Sequence, residues 1–309
     1  IEYLFLGPVS FKEAVSALQE NDLHHLMTGF FLPDVLPMTA HERLLEILRI
    51  YFLTGGMPEA LQAYIDTRDL SRVFDVHASI IDTYRDDFAK YATQADLLRL
   101  HRIFDYIPTH VGEKIKYVRI DPHGQARSFR NALDLIAKAQ VIMKAYHTDA
   151  SGIPIRATID HRRFKTYFMD CGLTNSMCGI QWISPDDLKT RDFINKGGIA
   201  EQFVAQHLAF SGKSNQMPSL TYWLREGRSS NAEVDFVLQM GPSIVPVEVK
   251  AGKSGSLKSL LQFVYQKKVP TAIRFDMNTP TLQKVRHSIR QASDTVDVCF
   301  DLLSLPLYM

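Results

Sequence analysis

Asp235, Glu248 and Lys250 are the residues whose types and spacing best suit chemistry on a charged substrate. Glu248 follows Asp235 by thirteen positions, and Lys250 follows in the segment Glu-Val-Lys. Two carboxylates held about 5 Å apart repel each other by roughly 3 kcal/mol at an effective dielectric constant of about 20. A hard divalent cation such as Mg²⁺ would remove that repulsion, because it prefers oxygen ligands. The three side chains therefore predict a cation site with an ammonium group beside it.

A β-hairpin is predicted to bring the two carboxylates together. The runs EVDFVLQ and IVPVEVK are rich in β-branched and apolar residues, and the turn-forming segment Met-Gly-Pro-Ser separates them. Pairing of Gln239 with Ile244 across this loop places Asp235 directly opposite Glu248. Side chains alternate along a strand, so this register decides which residues share a face.

Two more acidic residues lie near the predicted hairpin. In the same register Glu233 opposes Lys250, which would give a cross-strand ion pair. Glu201 lies in an amphipathic segment, residues 197–208, whose apolar positions fall three, four and seven residues after it. This spacing predicts a helix that packs on the sheet. It carries the Glu201 carboxylate on or beside the packed face, where an unpaired charge is costly.

Composition and charge limit the class of protein. The chain has 309 residues, of which 46% are hydrophobic and 22% charged, and its net charge is +1. These values indicate a globular chain of two or three domains without a strong overall attraction for polyanions, although a local basic patch is compatible with them. No apolar run approaches the 18 or so residues of a membrane span. Three cysteines without metal-site spacing favour a cytoplasmic location.

Other catalytic motifs are missing from the sequence. It has no HExxH or HxxxH pair for zinc and no nucleophile elbow for serine hydrolysis. Two Gly-Lys-Ser tripeptides, at Gly212 and Gly252, are similar to the end of a P-loop. The glycine required five positions earlier is replaced by His207 and Val247, respectively. The residues present therefore predict no ATP site of the P-loop type.

The pattern of helices, strands and turns divides the chain into four predicted regions. A helical segment comes first, a second region has the order helix, helix, β-hairpin, and a short connector leads to the region with the acidic residues. The fold class is predicted to be α/β, with a mixed sheet in the last region, where a helix over 256–267 crosses to a later parallel strand. The boundaries are residues 1–92, 93–165, 166–196 and 197–309.

The second region has the order of a winged helix-turn-helix domain. Its helices are predicted over 94–107 and from Ser128, which is expected to be the N-cap, and its hairpin strands over 141–146 and from 153. Between residues 113 and 165, eleven Lys and Arg residues face five Asp and Glu, a local net charge of +6. Arg127 and Arg130 stand at the start of the second helix, where side chains reach bases or phosphates. This predicts DNA binding; the alternative is a winged helix that only packs between domains.

The order of Glu201, Asp235, Glu248 and Lys250 on helix, strand and strand resembles the PD-(D/E)XK nuclease-like core. The resemblance implies that Asp235 and Glu248 hold Mg²⁺ and that Glu201 supports the site. It also implies that Lys250 positions or activates the attacking water. The proline of the motif is replaced by Val234 in this chain.

Three further motifs extend the resemblance over nearly the whole chain. They are Pro8-Val-Ser-Phe-Lys-Glu, Gly55-Gly-Met-Pro-Glu and Lys165-Thr-Tyr-Phe-Met-Asp-Cys-Gly-Leu. With the C-terminal acids, they resemble the post-ATPase portion of a widespread family of prokaryotic AAA+-like ATPases that end in a nuclease-like domain of unknown function. The resemblance implies that ATP binds only in an N-terminal ATPase domain, which precedes this chain and is its partner. The first residues, which lack an initiator Met, fit the middle of a longer protein.

Three functional hypotheses follow, and the sequence leaves all three open along with the oligomeric state. The first is a DNA-processing module that combines duplex binding with Mg²⁺-dependent phosphodiester hydrolysis. The second is a non-catalytic DNA- or protein-binding appendage of the ATPase. The third is an assembly or regulatory domain whose acidic residues form a structural network with Lys250.

Overall fold

Helices form the first part of the chain. The computed structural model describes residues 2–122, 124–180, 197–226, 231–252, 256–291 and 294–309. The spacing of Ser10 and Glu13 predicts a capping box, and the structure confirms it: Ser10 accepts a hydrogen bond from the Glu13 amide, and the Glu13 carboxylate accepts one from the Ser10 amide. Gly55, at a φ of +65°, ends the third helix, as the paired glycines predict. These helices are α1 (Phe11–Ala17), α2 (Asn21–Gly29), α3 (Met38–Thr54), α4 (Pro58–Thr67) and α5 (Leu70–Tyr91).

Three helices and a hairpin follow, where the predicted order had two helices and a hairpin, and two further details differ. Ser128 is inside a helix that begins at Ala126, and Gln125 is its N-cap residue, so the predicted cap is wrong. The return strand begins at Ile159 rather than at residue 153, because a 3₁₀ turn occupies Ile155–Thr158. The elements are α6 (Gln94–Tyr106), α7 (Tyr117–Ile120), α8 (Ala126–Lys138), β1 (Ile142–Thr148) and β2 (Ile159–Phe168).

The remaining elements complete an α/β architecture with two mixed sheets. The predicted crossover is confirmed, because one helix joins two parallel strands, Ser243–Val249 and Thr271–Asp276. The helices are α9 (Cys171–Met177), α10 (Gly198–Ala209) and α11 (Lys258–Lys267). The strands are β3 (Leu220–Arg225), β4 (Ala232–Val234), β5 (Phe236–Met240), β6 (Ser243–Val249), β7 (Thr271–Asp276), β8 (Thr281–Gln291) and β9 (Asp294–Pro306).

The sheet order joins parts of the chain that the sequence separates. One sheet has the order β2-β1-β3-β4 and the other the order β5-β6-β7-β9-β8. Strand β1 pairs with β2 in antiparallel fashion and with β3 in parallel fashion, so the hairpin expected as a wing is an integral part of a sheet. The predicted boundary at residue 165 falls within β2. The division into regions stays a prediction.

The predicted hairpin has the expected register but a different shape. Gln239 pairs with Ile244, which confirms the register. The loop is shorter than predicted, because pairing continues to Met240 and Ser243 and leaves a two-residue turn. Gly241, at a φ of +59°, occupies the turn position that needs positive φ. The first strand is not continuous, since it breaks at Asp235 into β4 and β5.

Helix α10 packs against both the helical part and the sheets. Phe203 on this helix makes edge-to-face contacts with Phe11, Tyr51 and Phe52, at ring-centroid distances of 6.1, 5.7 and 5.4 Å. It is buried in a core that also contains strand residues such as Phe236. Truncation of a buried phenylalanine to alanine typically costs about 3–5 kcal/mol, so Phe203 is a major contact between α10 and the first helices. None of the helices in the described residues has the length and hydrophobicity of a membrane span.

A buried aspartate links the third helix to α9. Asp170 ends the strand-like run Lys165-Thr-Tyr-Phe-Met, where its side chain is predicted to cap the next segment, and it is the N-cap of α9. Its carboxylate accepts hydrogen bonds from the Leu173 amide at 2.9 Å and the Gly56 amide at 2.7 Å. A Cβ on Gly55 would lie 2.1 Å from the same carboxylate, so only glycine fits there. Burial raises the pKa of Asp170 to about 6, although the backbone donors favour its charged form.

Candidate functional site

The four residues predicted as catalytic come together in the structure. Glu201 is in the first turn of α10, Asp235 at the break between β4 and β5, and Glu248 near the end of β6. Both Glu201 and Glu248 act electrostatically on Asp235. Lys250 follows β6 and forms an ion pair with Glu248. The helix and the paired strands therefore assemble the cluster that the spacing predicted.

Asp235 replaces a missing backbone partner where the strand breaks. Its Oδ2 accepts a hydrogen bond from the Val249 amide at 2.7 Å, just beyond the last strand pair between β5 and β6. Burial raises the pKa of Asp235 well above its usual range, and repulsion from the Glu201 and Glu248 carboxylates raises it further. The bare cluster thus disfavours ionisation of this group.

Glu248 has one carboxylate oxygen paired and the other unpaired. The residue is 5% exposed, and its Oε1 accepts from the Lys250 ammonium group. Its Oε2 is buried and has no hydrogen-bond partner among the described residues. Burial raises the pKa of Glu248, and Lys250 opposes only part of that effect. An unpaired buried carboxylate oxygen is costly, so a proton or a cation is expected at this position.

The prediction that Glu233 forms a cross-strand ion pair with Lys250 is wrong. Strand β4 pairs with β3, where Glu233 lies beside Leu224, and not with the end of β6. Its carboxylate forms an ion pair with Lys165 instead. The break at Asp235 turns β4 toward β3, so the hairpin register does not extend to Glu233.

Lys165 is the site residue that the sequence analysis missed. It is 1% exposed, and its Nζ lies 3.1 Å from Glu201 Oε1, in addition to the pair with Glu233. The Nζ also lies 5.3 Å from the centre of the Tyr222 ring. Burial by itself lowers the pKa of Lys165, but the neighbouring carboxylates outweigh this effect and raise it above its usual value. The ammonium group is therefore charged.

Tyr167 completes the environment of Glu201. Its hydroxyl donates to Glu201 Oε1 at 2.5 Å, so the same oxygen accepts from both Tyr167 and Lys165. Burial and the adjacent Glu201 carboxylate raise the pKa of Tyr167 well above its usual value, which keeps the hydroxyl protonated. The spacing of two residues in Lys165-Thr-Tyr167 was a usable indication, because alternate residues of a strand share a face.

The donor set fits a hard divalent cation at Asp235 and Glu248. Its carboxylates supply oxygen ligands, and Glu248 Oε2 is a buried acceptor with no partner in the part of the chain described. Four carboxylates, including those of Glu201 and Glu233, surround two ammonium groups, an excess of two negative charges when all are ionised. Among the described residues, no group of three or more His, Cys, Asp or Glu side chains could hold a metal ion together. A cation at Asp235 and Glu248 would therefore have no third protein ligand of these types among the described residues.

Arg127 and Arg130 lie elsewhere in the fold. Both are exposed in the first half of α8, an element that contributes no side chain to the carboxylate cluster. Part of the local positive charge is neutralised by acids from later in the chain. Lys114 and Arg163 pair with Glu226 at 2.7 and 3.0 Å. The basic surface is therefore smaller than the count of charges predicts, and the two arginines remain at its exposed part.

Two family models match the chain. Residues 45–184 match a domain of unknown function (DUF8612), and residues 196–290 match a second domain of unknown function (DUF4143). No curated protein and no solved structure is similar enough to match. The second domain is one that is often found C-terminal to AAA ATPases. The C-terminal part of the chain, which holds the carboxylate cluster, is therefore similar to an ATPase-associated domain.

Proposed function

We propose that this chain is a DNA-binding module with a divalent-cation site of the phosphodiester-hydrolase type, centred on Asp235 and Glu248. The observation that carries the proposal is the unpartnered, buried Oε2 of Glu248, which shares its surroundings with the half-buried carboxylate of Asp235. Two such groups repel each other in a medium of low dielectric, and a divalent cation removes that repulsion. Mg²⁺ is the expected ion, because all the available ligands are oxygens.

Each residue of the cluster has a distinct task under this proposal. Asp235 and Glu248 hold the cation, and the Val249 amide fixes the orientation of the Asp235 carboxylate at 2.7 Å. A bound Mg²⁺ would polarise a phosphate oxygen and lower the pKa of a bound water. Lys250, paired with Glu248 and about one quarter exposed, orients the water or stabilises negative charge on the phosphate.

Calorimetric titration with Mg²⁺ or Mn²⁺ tests the cation site. The chain should bind one ion, and Asp235→Asn should abolish the heat of binding while preserving the fold. Asp75→Asn is the matched control, because that side chain is 74% exposed on α5. Mg²⁺-dependent nicking of duplex DNA that disappears in Asp235→Asn would extend the result to catalysis. Equal binding by the two variants would refute the site.

The DNA-binding part of the proposal is supported by the two exposed arginines on α8. Phosphate contacts release counterions, so each lost contact lowers the slope of log affinity against log salt concentration by about 1. Charge reversal of Arg127 and Arg130 should weaken duplex binding and flatten this slope. Arg72→Glu is the control, because Arg72 is 67% exposed on α5. Equal effects of reversal on α5 and α8 would contradict a specific role for α8.

A second candidate function is a non-catalytic binding or regulatory appendage of an N-terminal ATPase domain that binds ATP. One observation favours it: Lys165 and Tyr167 both donate to Glu201 Oε1, so this part of the cluster is stabilised without a cation. This function predicts salt-sensitive DNA or protein binding without cation binding at Asp235. The calorimetric titration therefore separates the two candidates.

A further inference from the structure

We propose that Lys165 is a built-in counter-cation that withholds Glu201 from the cation site at Asp235 and Glu248. This inference rests on the proposed function, since it concerns what limits the affinity of that site for a divalent cation. It explains why two carboxylates, rather than three, are available to a divalent ion. Without Lys165, Glu201 would be free to act as a third ligand.

Hydrogen bonds from Lys165 and Tyr167 hold the Glu201 carboxylate in place. Its Oε1 accepts from the Lys165 Nζ at 3.1 Å and from the Tyr167 hydroxyl at 2.5 Å. Gly112 also lies against this carboxylate, because a Cβ added at Gly112 would lie 2.8 Å from Glu201 Oε1. The amide of Gly112 donates to the Thr166 carbonyl at 3.0 Å, which fixes this loop to β2. Glu201 Oε1 is therefore held by groups that precede α10 in the chain.

The buried positive charge of Lys165 also lies close enough to affect the two cation ligands. Its ammonium group is almost fully buried, and it acts electrostatically on Asp235 and Glu248 as well as on its direct partners. Because the group is screened little by solvent, it repels an incoming divalent ion strongly. Lys165 thus weakens cation binding in two ways: it adds positive charge and it holds a potential ligand aside.

Lys165 and the cation ligands come from different strands of the fold. It lies on β2, in the hairpin that follows α8, whereas the cation ligands lie on β6 and beside β5. The hairpin strand β1 pairs with β3, and this arrangement brings β2 and the carboxylate cluster into one framework. The affinity of the site is therefore set by a strand from the part of the chain that bears the exposed arginines.

A charge-matched double variant tests the inference. Lys165→Met with Glu233→Gln removes one positive and one negative charge, so the excess charge of the cluster does not change. Mn²⁺ should bind about tenfold more tightly, or better, in calorimetric titration, because Glu201 is released and the buried repulsion is gone. Adding Glu201→Gln should cancel the gain. The control is Lys114→Met with Glu226→Gln, which removes an exposed ion pair and should leave affinity within about twofold.

The outcomes distinguish this inference from the proposed function. Tighter binding in the double variant than in the unchanged chain supports the inference. Asp235-dependent binding in the unchanged chain that does not tighten in the double variant overturns the inference and leaves the proposed function standing. If neither folded protein binds Mn²⁺, both are overturned.

Tyr167→Phe provides a second route if the double variant does not fold. It removes one of the two donors to Glu201 Oε1 and leaves every formal charge in place. Mn²⁺ affinity should rise about two- to threefold, because loss of one hydrogen bond frees Glu201 only in part. Unchanged or weaker affinity in a folded Tyr167→Phe protein would overturn the inference.

Discussion

Asp170 is fully buried and Asp235 is half-buried, and their surroundings give the two aspartates opposite roles. Asp170 accepts hydrogen bonds from two backbone amides, of Gly56 and Leu173. Asp235 accepts one, from Val249, and shares its surroundings with the carboxylates of Glu201 and Glu248. Neutral donors around Asp170 connect two helices. Like charges around Asp235 leave a requirement for positive charge, which is typical of a site that binds something.

Burial alone does not identify a functional carboxylate. Burial raises the pKa of both groups. What differs is whether the neighbours can satisfy every oxygen with a hydrogen bond. Near Asp170 they do, whereas Glu248 Oε2 beside Asp235 has no partner among the residues that the structure describes. Replacing Asp170 should therefore lower stability, whereas removing the charge of Asp235 should raise it.

The largest expected effect is the loss of stability in Lys165→Met. Removing this buried cation leaves Glu201 and Glu233 without their shared partner, which should lower the free energy of unfolding by about 3–5 kcal/mol. Urea denaturation at neutral pH measures it. Lys114→Met, at a partly exposed pair, should have little effect. Similar midpoints for the two variants would show that the carboxylate cluster does not depend on its internal cation.

Asp170→Ala should be nearly as damaging, for a different reason. The change leaves the buried amides of Gly56 and Leu173 without acceptors, at a combined cost of about 3 kcal/mol. Denaturant titration at pH 7 provides the value. Asp170→Asn keeps one acceptor oxygen and should lose less. If Asp170→Ala lost less stability than Asp170→Asn, the proposed link between the helices would be contradicted.

The raised pKa of Asp170 predicts a pH dependence of stability. The pKa is about 6 in the folded protein and near 4 when unfolded, so the folded state binds the proton more tightly. Stability from this group is fully present below about pH 4 and is lost, by about 3 kcal/mol, as the pH rises through 6. Buried His77 and His207, whose pKa values burial lowers to about 4, act in the opposite direction.

Comparison of the unchanged chain with Asp170→Asn isolates this contribution from that of the histidines. The difference in unfolding free energy between the two proteins should change between pH 4 and pH 6 and stay constant above about pH 7. Denaturant titrations at four or five pH values across this range are sufficient. A constant difference throughout would mean that Asp170 titrates normally in the folded state.

The smallest expected effect has the opposite sign and is the sharpest test of the comparison. Asp235→Asn keeps an acceptor for the Val249 amide and removes repulsion with Glu201 and Glu248. In the absence of divalent cations at pH 8, it should therefore raise stability by about 1 kcal/mol. Thermal unfolding in a chelating buffer measures the change. A clear loss of stability would place Asp235 with Asp170 as a structural group.

Local pattern and spacing were sufficient to predict several parts of the molecule. The capping box at Ser10 and the cap at Asp170 involve residues within three positions of each other. The register of the hairpin, with Gln239 opposite Ile244, follows from the positions of the turn residues and from the alternation of side chains. Such features depend on a few adjacent residues, so the sequence contains the information directly.

The sequence by itself therefore determined the α/β class, the hairpin register and the meeting of Glu201, Asp235, Glu248 and Lys250. Only the tertiary structure decided that Lys165 joins them and that Glu233 pairs with it. The strand break at Asp235 and the pairing of β1 with β3 bring these groups together from positions 68 residues apart in sequence. Side-chain alternation does not predict which residues so far apart in sequence come into contact. The position of β2 depends instead on which strand edges and apolar faces pack together.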